Sequence, residues 1–292
     1  MDLAALEIFR TVVEQGGINK AAARLNRVPS NVTTRVKQLE DDLGAKLFVR
    51  DGKRLILSEE GKVLLGYANQ LLRLSSEARA ALRNGKPRGT LRIGALESTA
   101  AARLPPILSR YHVLYPDVHV ELVTATSGAL VSRMHAREIE AAFVAEPYNA
   151  AGLESALAFV EEIVLITAKS QSRVRTPADI GKRTVIAFAN GCSYRRRLEM
   201  WLATESIQPD HVMEFQSYHA IVACVAAGSG IAVVPRSVLD MTRAINQVNV
   251  SSLPALTAKA KTHLVWRPSH QSLALETLRA LLVASHTLKK AA

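Results

Sequence analysis

The sequence predicts an α/β protein in which a small helical unit with a hairpin, then one long helix, precede a larger two-lobed domain. Three patterns carry that expectation. Short helices and a hairpin account for the first 58 residues, a helical stripe runs from Leu64 to Ala81, and strand-length apolar runs alternate with helices from Thr90 onward. The 292 residues suffice for more than one core, and 48% hydrophobic against 22% charged residues is the balance of a folded globular chain. The expected boundaries are roughly 1–58 for the first unit, 59–87 for the helix and hinge, and 88–292 for the large domain. In that domain one lobe covers about 88–162 and 267–292, the other about 163–266.

Leu3, Leu6, Phe9 and Val13 recur at helical spacing, and Gly16-Gly17 stops that helix. A short second helix runs from about Asn19 to Leu25 with Ala21, Ala22 and Leu25 inward. After the tight Asn26-Arg27-Val28 link, Pro29 suits the first position of a third helix, where its missing N–H costs nothing. Val32, Val36 and Leu39 give that helix one apolar stripe, leaving Ser30, Asn31, Thr33, Thr34, Arg35 and Lys37 mostly off it. A solvated face is the commoner meaning of one polar stripe. Here a short helix, a tight turn and a basic helix occur together, which suits the major groove of DNA: short hydroxyls and amides approach base edges, and Arg and Lys reach bases or phosphates. Charge agrees. The formal net charge is +11, and Lys20 to Arg54 alone carries nine basic against four acidic residues.

Lys46–Arg50 and Arg54–Leu57 read as strands around Asp51-Gly52-Lys53, a strong hairpin signal. Arg50, Lys53 and Arg54 make it a wing suited to the DNA backbone or minor groove. Ser58 then caps a helix from Glu59 to about Leu82. Leu64, Tyr67, Leu71, Leu74 and Ala78 follow the a/d spacing of paired helices, so this helix is expected to form a dimer seam. The turn formers from Asn84 to Gly89 read as a linker.

Beyond Thr90 the expected strands are Thr90–Leu96, Val118–Thr124, Ile139–Ala145, Ile163–Ala168, Thr184–Phe188, Ile231–Val234 and Lys261–Trp266, in largely parallel sheets. Ligands of open α/β folds bind beyond the carboxyl ends of strands, at helix N-termini. Ser98 and Thr99, Thr126 and Ser127, and Asn190, Cys192 and Ser193 stand at three such ends. Any one of them serves as a helix cap as readily; three together point to a binding cleft. The hydroxyls favour a small carboxylate or amino-acid-like metabolite, with Arg195, of the run Arg195-Arg196-Arg197, facing it. Glu97 and Glu146 leave amines open. Cys192 at a helix start invites a redox role, whereas Cys224 in an apolar helix reads as core.

Other classes fare worse. Cys192 and Cys224 have no metal-ligand spacing, the eight histidines are scattered, and HExxH, GxSxG and a Walker loop are missing. No enzyme activity, metal or cofactor is expected. Gly228-Ser229-Gly230 resembles a nucleophile or phosphate loop but lacks the rest of either motif. The apolar run Ile221–Ala227 is too short for a membrane span, and the charged N-terminus does not read as a signal peptide, so a reduced cytoplasmic protein is expected rather than a transporter's solute-binding protein.

Taken in order, these residues resemble the LysR family of bacterial transcription regulators over nearly the whole chain. In the first unit the resemblance rests on Gly17, Ala21-Ala22, Leu25, Val32, Val36, Leu39-Glu40, Leu43-Gly44, Leu47-Phe48, Arg50 and Gly61. Later it rests on Leu91–Gly94, Leu104-Pro105, Tyr115–Val118 and Gly228–Pro235. The resemblance implies a winged helix-turn-helix, a dimerising linker helix and an effector domain like periplasmic binding proteins. It also implies double-stranded DNA and a small effector as partners, a homodimer or homotetramer, and RNA polymerase if the protein activates. Two departures stand out: Val28 replaces the family's Ser or Thr cap with Pro29 one residue early, and Arg137–Glu140 replaces a Gly- and Asp-rich loop.

Overall fold

The computed structural model describes the chain except Lys53, residues 82–85, Lys182, residues 269–271 and residues 291–292; the side chains of Asp51, Arg54, Glu77, Ala80, Ala81 and residues 285–290 also lie outside the described set. Two compact units result, Met1–Gly85 and Lys86–Ala292.

In the first unit, α1 (Leu3–Gln15) is buried on two sides. Ile8 and Val12 pack with Ala21 and Ala22 of α2 (Ile18–Arg24) and with Val32 and Val36 of α3 (Pro29–Leu43). Ala5, Leu6 and Phe9 pack with Leu39, Leu47 and Ala68. Each large side chain so buried stabilises the unit by about 1.5–3 kcal/mol. β1 (Phe48–Asp51) and β2 (Arg54–Leu57) pair antiparallel as the expected hairpin. α4 (Glu59–Ala81) starts where expected: Ser58 Oγ accepts from the Gly61 N–H at 2.9 Å and donates to the Lys46 carbonyl at 2.6 Å. Gly61 is obligatory there, since a Cβ would meet the Leu47 carbonyl oxygen at 2.2 Å.

The second unit is built on one long strand shared by two lobes. β3 (Gly89–Ala95) leads to α5 (Glu97–Ala102), α6 (Leu104–Leu114), β4 (Val118–Thr124), α7 (Ser127–His135), β5 (Ala141–Ala145) and β6 (Glu154–Ala168). The chain continues through β7 (Val185–Phe188), α8 (Ser193–Ala203), β8 (Val212–Phe215), α9 (Tyr218–Ala226), β9 (Ala232–Pro235), α10 (Arg236–Thr242), β10 (Val248–Ser252) and α11 (Ala255–Ala258). It ends on β11 (Lys259–Trp266) and α12 (Leu273–Lys290). The first lobe orders its strands β4-β3-β5-β11-β6, using Glu154–Glu162 of β6. Ile163–Ala168 of the same strand then pairs with β9 and β10 in the second lobe. Parallel β7 and β8 join through Thr184, Ile186 and Ile231.

Two expectations are corrected here. The sheets are mixed rather than largely parallel: β11 runs antiparallel to β5 and β6, and β9 and β10 antiparallel to β6, because the chain crosses between lobes and re-enters in the opposite direction. Lys259–Trp266 also belongs to the first lobe, not to a second lobe ending at 266, since its ladder partners are β5 and the first half of β6. The Gly228-Ser229-Gly230 turn is structural. A Cβ on Gly230 would lie 2.3 Å from the Thr184 carbonyl, whose oxygen accepts from the Ile231 N–H at 2.9 Å.

Candidate DNA interface and ligand cleft

On α3 the stripe Val32, Val36 and Leu39 is buried, and Ser30, Asn31, Thr33, Thr34 and Lys37 are all exposed. The hydrogen bonds of this face are local. Thr33 Oγ1 donates to the Pro29 carbonyl at 2.9 Å and keeps its lone pairs outward; Asn31 Oδ1 accepts from Arg27 at 3.4 Å and keeps its amide donors. Val28 caps without a side chain, as expected, and the Asn31 and Val32 N–H groups both turn back to its carbonyl. Arg35 has a different task from its neighbours. It is half-buried, and its Nη2 lies 3.2 Å from the Asp2 carboxylate, tying α3 to the start of α1. The Ala5 N–H and Arg35 hold that Asp2 carboxyl below its ordinary value.

The wing is anchored by a residue that the sequence marks only as part of a motif. Buried Glu40 on α3 accepts from the Leu47 N–H at 2.8 Å and the Phe48 N–H at 3.3 Å, with Lys46 Nζ at 3.0 Å. Burial alone would raise its pKa; these donors outweigh it and lower it. Arg50 is exposed on β1. Lys53, and the side chain of Arg54, lie outside the described residues. On α4 the expected seam divides. Leu64 packs against the first unit's core, whereas Tyr67, Leu71, Leu74 and Ala78 are exposed.

In the second unit Ser98 and Thr99 begin α5, Ser127 begins α7 behind its cap Thr126, and Ser193 begins α8 behind Cys192. The lobes meet through these hydroxyls: Ser127 Oγ of the first lobe lies 2.9 Å from Ser193 Oγ of the second, and also accepts from the Ala145 N–H at 3.1 Å. Thr126 serves as a cap, accepting from Ala129 at 3.5 Å. Asn190 is exposed nearby.

Deeper in, the hydroxyls of Ser98, Tyr194 and Thr262 come together, with buried Thr99 following Ser98 in the chain. Ser98 (3% exposed), Thr99 (1%), Tyr194 (2%) and Thr262 (0%) have oxygens with no hydrogen-bond partner of normal geometry among the described residues. Ser98 and Thr262 lie near enough to the Tyr194 hydroxyl to influence it, and burial pushes that phenol far above its ordinary pKa. Tyr194 and Thr262 are not legible as site residues in the sequence. The separation of α8 and β11 along the chain hides their meeting. Glu97 stands at the margin, its pKa raised by burial and partly restored by the Tyr218 N–H and His219.

Two expected ligand contacts are redirected by the structure. The Arg195 guanidinium binds Glu199 at 2.7 Å, the Phe188 carbonyl at 3.1 Å and Glu214, so its charge is engaged within the second lobe. The Cys192 thiol is buried, which raises its pKa despite the adjacent Arg195 and Tyr194 N–H groups, and this disfavours the reactive thiolate. At the crossing, two successive glutamates of β6 are clamped from opposite sides. Buried Glu161 takes Arg103 of the first lobe at 2.6 and 2.9 Å and Ser237 of the second at 2.9 Å; Glu162 takes Arg236 at 2.7 and 3.0 Å.

Comparison with known proteins agrees with this arrangement. Residues 3–62 match the family of bacterial regulatory helix-turn-helix proteins of the lysR family, and residues 84–286 match the LysR substrate binding domain. The transcriptional regulator GltR of Bacillus subtilis is 38% identical over 240 residues, covering 82% of this chain and 81% of its own. YusT of the same organism, an uncharacterised regulator, is 37% identical over 279 residues, covering 95% and 94%. Among solved structures, full-length CbnR complexed with its target DNA superposes with a TM-score of 0.71 at 23% identity, covering 98% of this chain and 100% of CbnR. A full-length OxyR variant from Pseudomonas aeruginosa gives 0.70 at 20%, covering 97% and 93%. These relatives are regulators rather than enzymes, and no helix among the described residues is long and apolar enough to cross a membrane. This chain belongs to the LysR family of helix-turn-helix transcription regulators, with that family's DNA-binding and substrate-binding domains.

Proposed function

We propose that a small carboxylate or amino-acid-like metabolite, bound between the lobes at Ser98, Thr99, Ser127, Ser193 and Tyr194, modulates sequence-specific DNA binding by α3 and the wing. The observation that carries the ligand half is the cluster of buried hydroxyls, Ser98 and Thr262 of the first lobe with Tyr194 of the second, which touch one another but make no well-formed hydrogen bond among the described residues. Leaving a buried hydroxyl unpaired costs about 1–3 kcal/mol, so a molecule that satisfies several of them gains affinity from each. With Arg103 closed on Glu161 and Arg195 turned away, hydroxyls and helix N-termini would carry the recognition of a carboxylate, and Glu97 that of an amine.

The DNA half rests on the exposed Ser30, Asn31, Thr33, Thr34 and Lys37 above a buried stripe, with Arg50 on the wing. Tyr67, Leu71 and Leu74 on α4 supply an apolar stripe for a second copy, and two such units in the cytoplasm would read paired half-sites. A ligand that binds one lobe arrangement better shifts the population toward it and so changes the fit to DNA. The test is fluorescence-anisotropy binding to the chain's own upstream DNA and to scrambled DNA, over a salt series, with a metabolite panel. Selective binding that one carboxylate or amino acid shifts is the expected result. Binding that ignores both sequence and metabolite overturns the reading.

A further inference from the structure

A second feature between the lobes does not share the hydroxyl cluster's residues. One face of α8, formed by Arg197, Met200 and Trp201 and continued by the following Thr204, lines a groove of about 670 Å³ in the second lobe. Across it stand Glu146, Pro147 and Tyr148 of the loop between β5 and β6 in the first lobe. Leu256 and Thr257 of α11, on the return crossing, close its third side. That size is ordinary for a small-molecule site.

The groove's chemistry is asymmetric. Arg197 donates from Nε to the Glu146 carbonyl at 3.1 Å and from Nη1 to the Leu256 carbonyl at 2.9 Å, so its guanidinium is fixed by both other walls. Two of its five N–H donors are thereby used. No carboxylate among the described residues lies within salt-bridge distance of it; Glu146, the nearest influence, has its Oε1 3.2 Å from Nε2 of His263 instead. Burial lowers the Arg197 pKa, and the nearby Glu146 carboxylate opposes that only in part. Around this cation the lining is apolar and aromatic: Trp201, Tyr148, Met200 (59% exposed) and Leu256 (92% exposed). A fixed cation beside an apolar trough is complementary to a molecule with one anionic head and a short hydrophobic body.

We propose that this groove binds an amphipathic monocarboxylate, its carboxylate on the free donors of Arg197 and its apolar tail along Trp201, Met200 and Leu256. The residues lining it are not those of the hydroxyl cleft, which it borders along α8. Because its walls belong to the first lobe, the second lobe and the crossing, occupancy favours one lobe arrangement and adds a second input to DNA binding.

The test follows the methyl signal of Met200 by NMR in the full chain carrying ¹³C-methyl methionine, titrated with hexanoate and 3-phenylpropanoate up to about 10 mM, a range that reaches millimolar affinities. Hexanamide and hexylamine are the uncharged and cationic controls. Saturable shifts with both carboxylates and none with the controls are expected. Leu256→Glu, on a side chain open to solvent, should weaken carboxylate binding at least about tenfold by placing a like charge on the rim, and Arg197→Met should do the same. A Thr99→Trp variant, which fills the hydroxyl cleft, should abolish any metabolite response of DNA binding yet leave the Met200 shifts intact, separating failure of the cleft from failure of the groove. Equal shifts from hexanamide, carboxylate binding unchanged in Leu256→Glu and Arg197→Met, no shift with either carboxylate, or a Met200 signal that moves only with protein concentration, the mark of a second copy in the groove, would each overturn the proposal.

Discussion

Helix α3 and the proposed ligand cleft use the same small hydroxyl side chains at helix starts, yet treat them in opposite ways. On α3, Ser30, Thr33 and Thr34 are exposed, and Thr33 already commits its proton to its own helix. At the lobe junction Ser98 and Thr262 are buried beside the equally buried Tyr194, with only loose contacts among their hydroxyls and no well-formed hydrogen bond among the described residues. Water satisfies the first set until DNA displaces it, so little stability depends on them. The second set has only its own loose contacts, so the proposed ligand would relieve a cost that the free fold carries. That difference is what the proposed roles require, a surface for a large wet polyanion on one side and a cleft for a small molecule on the other. It also predicts that substitutions in the two regions divide differently between stability and function.

The largest expected effect lies at the crossing strand. Arg103→Ala leaves Glu161, 2% exposed, with Ser237 as its remaining side-chain donor among those described. Breaking a buried pair in this way should cost about 3–5 kcal/mol, read as a fall in thermal stability, while Arg103→Met combined with Glu161→Met should recover much of it. An Arg103→Ala protein that melts like the parent would remove the claim that the buried side is the costly one.

A smaller loss is expected where the DNA-binding unit has its own buried carboxylate. Glu40→Ala strands the buried Leu47 N–H and should cost about 1–3 kcal/mol, visible as faster hydrogen exchange at Leu47 and Phe48. The pH dependence follows from the sign of the shift. Glu40 titrates lower in the folded chain than its ordinary 4.5, so its contribution is complete above that value and disappears as pH falls through the lowered pKa. Protection factors of the wing amides, with the intrinsic exchange rate divided out, should therefore fall in acid in the parent and stay level over that window in Glu40→Ala. The same acid sensitivity in both would assign the effect to another group.

On the exposed face the balance reverses. Thr34→Ala should change stability by no more than about 0.5 kcal/mol, yet alter discrimination between operator sequences by about 1–3 kcal/mol if Thr34 meets a base. Arg50→Ala should weaken binding to all sequences alike and reduce the salt slope by about one. Competition binding against single-base operator variants distinguishes them; equal losses on every sequence for both would merge the two roles.

Much of this contrast is legible in the residues, and the rest is hidden for physical reasons. Periodicity exposes α3, because Val32, Val36 and Leu39 face inward while polar residues face out, and Ser58 followed by acids marks the start of α4. Ile163–Ala168 reads as a strand since it is buried on both faces. Glu161 and Glu162 interrupt the apolar run, so the first half of β6 does not read; their arginine partners are 58 and 74 residues away. The lobe assignment of β11 is set by its ladder with β5, which no local pattern encodes. Ser98, Thr99, Ser127 and Ser193 are visible as helix starts. Tyr194 and Thr262 are not, because a buried aromatic and a strand threonine are ordinary core until their hydroxyls are seen without partners.

That last pair gives the smallest and sharpest test of the comparison. Tyr194→Phe removes one loosely satisfied hydroxyl and keeps the ring that fills the core. If that oxygen is a cost carried for a ligand, the free protein should be unchanged or more stable by up to about 1 kcal/mol, while the metabolite response of DNA binding weakens. Thermal melts with and without the active metabolite read both parts at once, since ligand stabilisation grows with the ratio of free concentration to Kd. A destabilised apo protein would mean that the hydroxyl is satisfied in solution, and the cleft would then resemble the recognition face, with its polar groups already at rest.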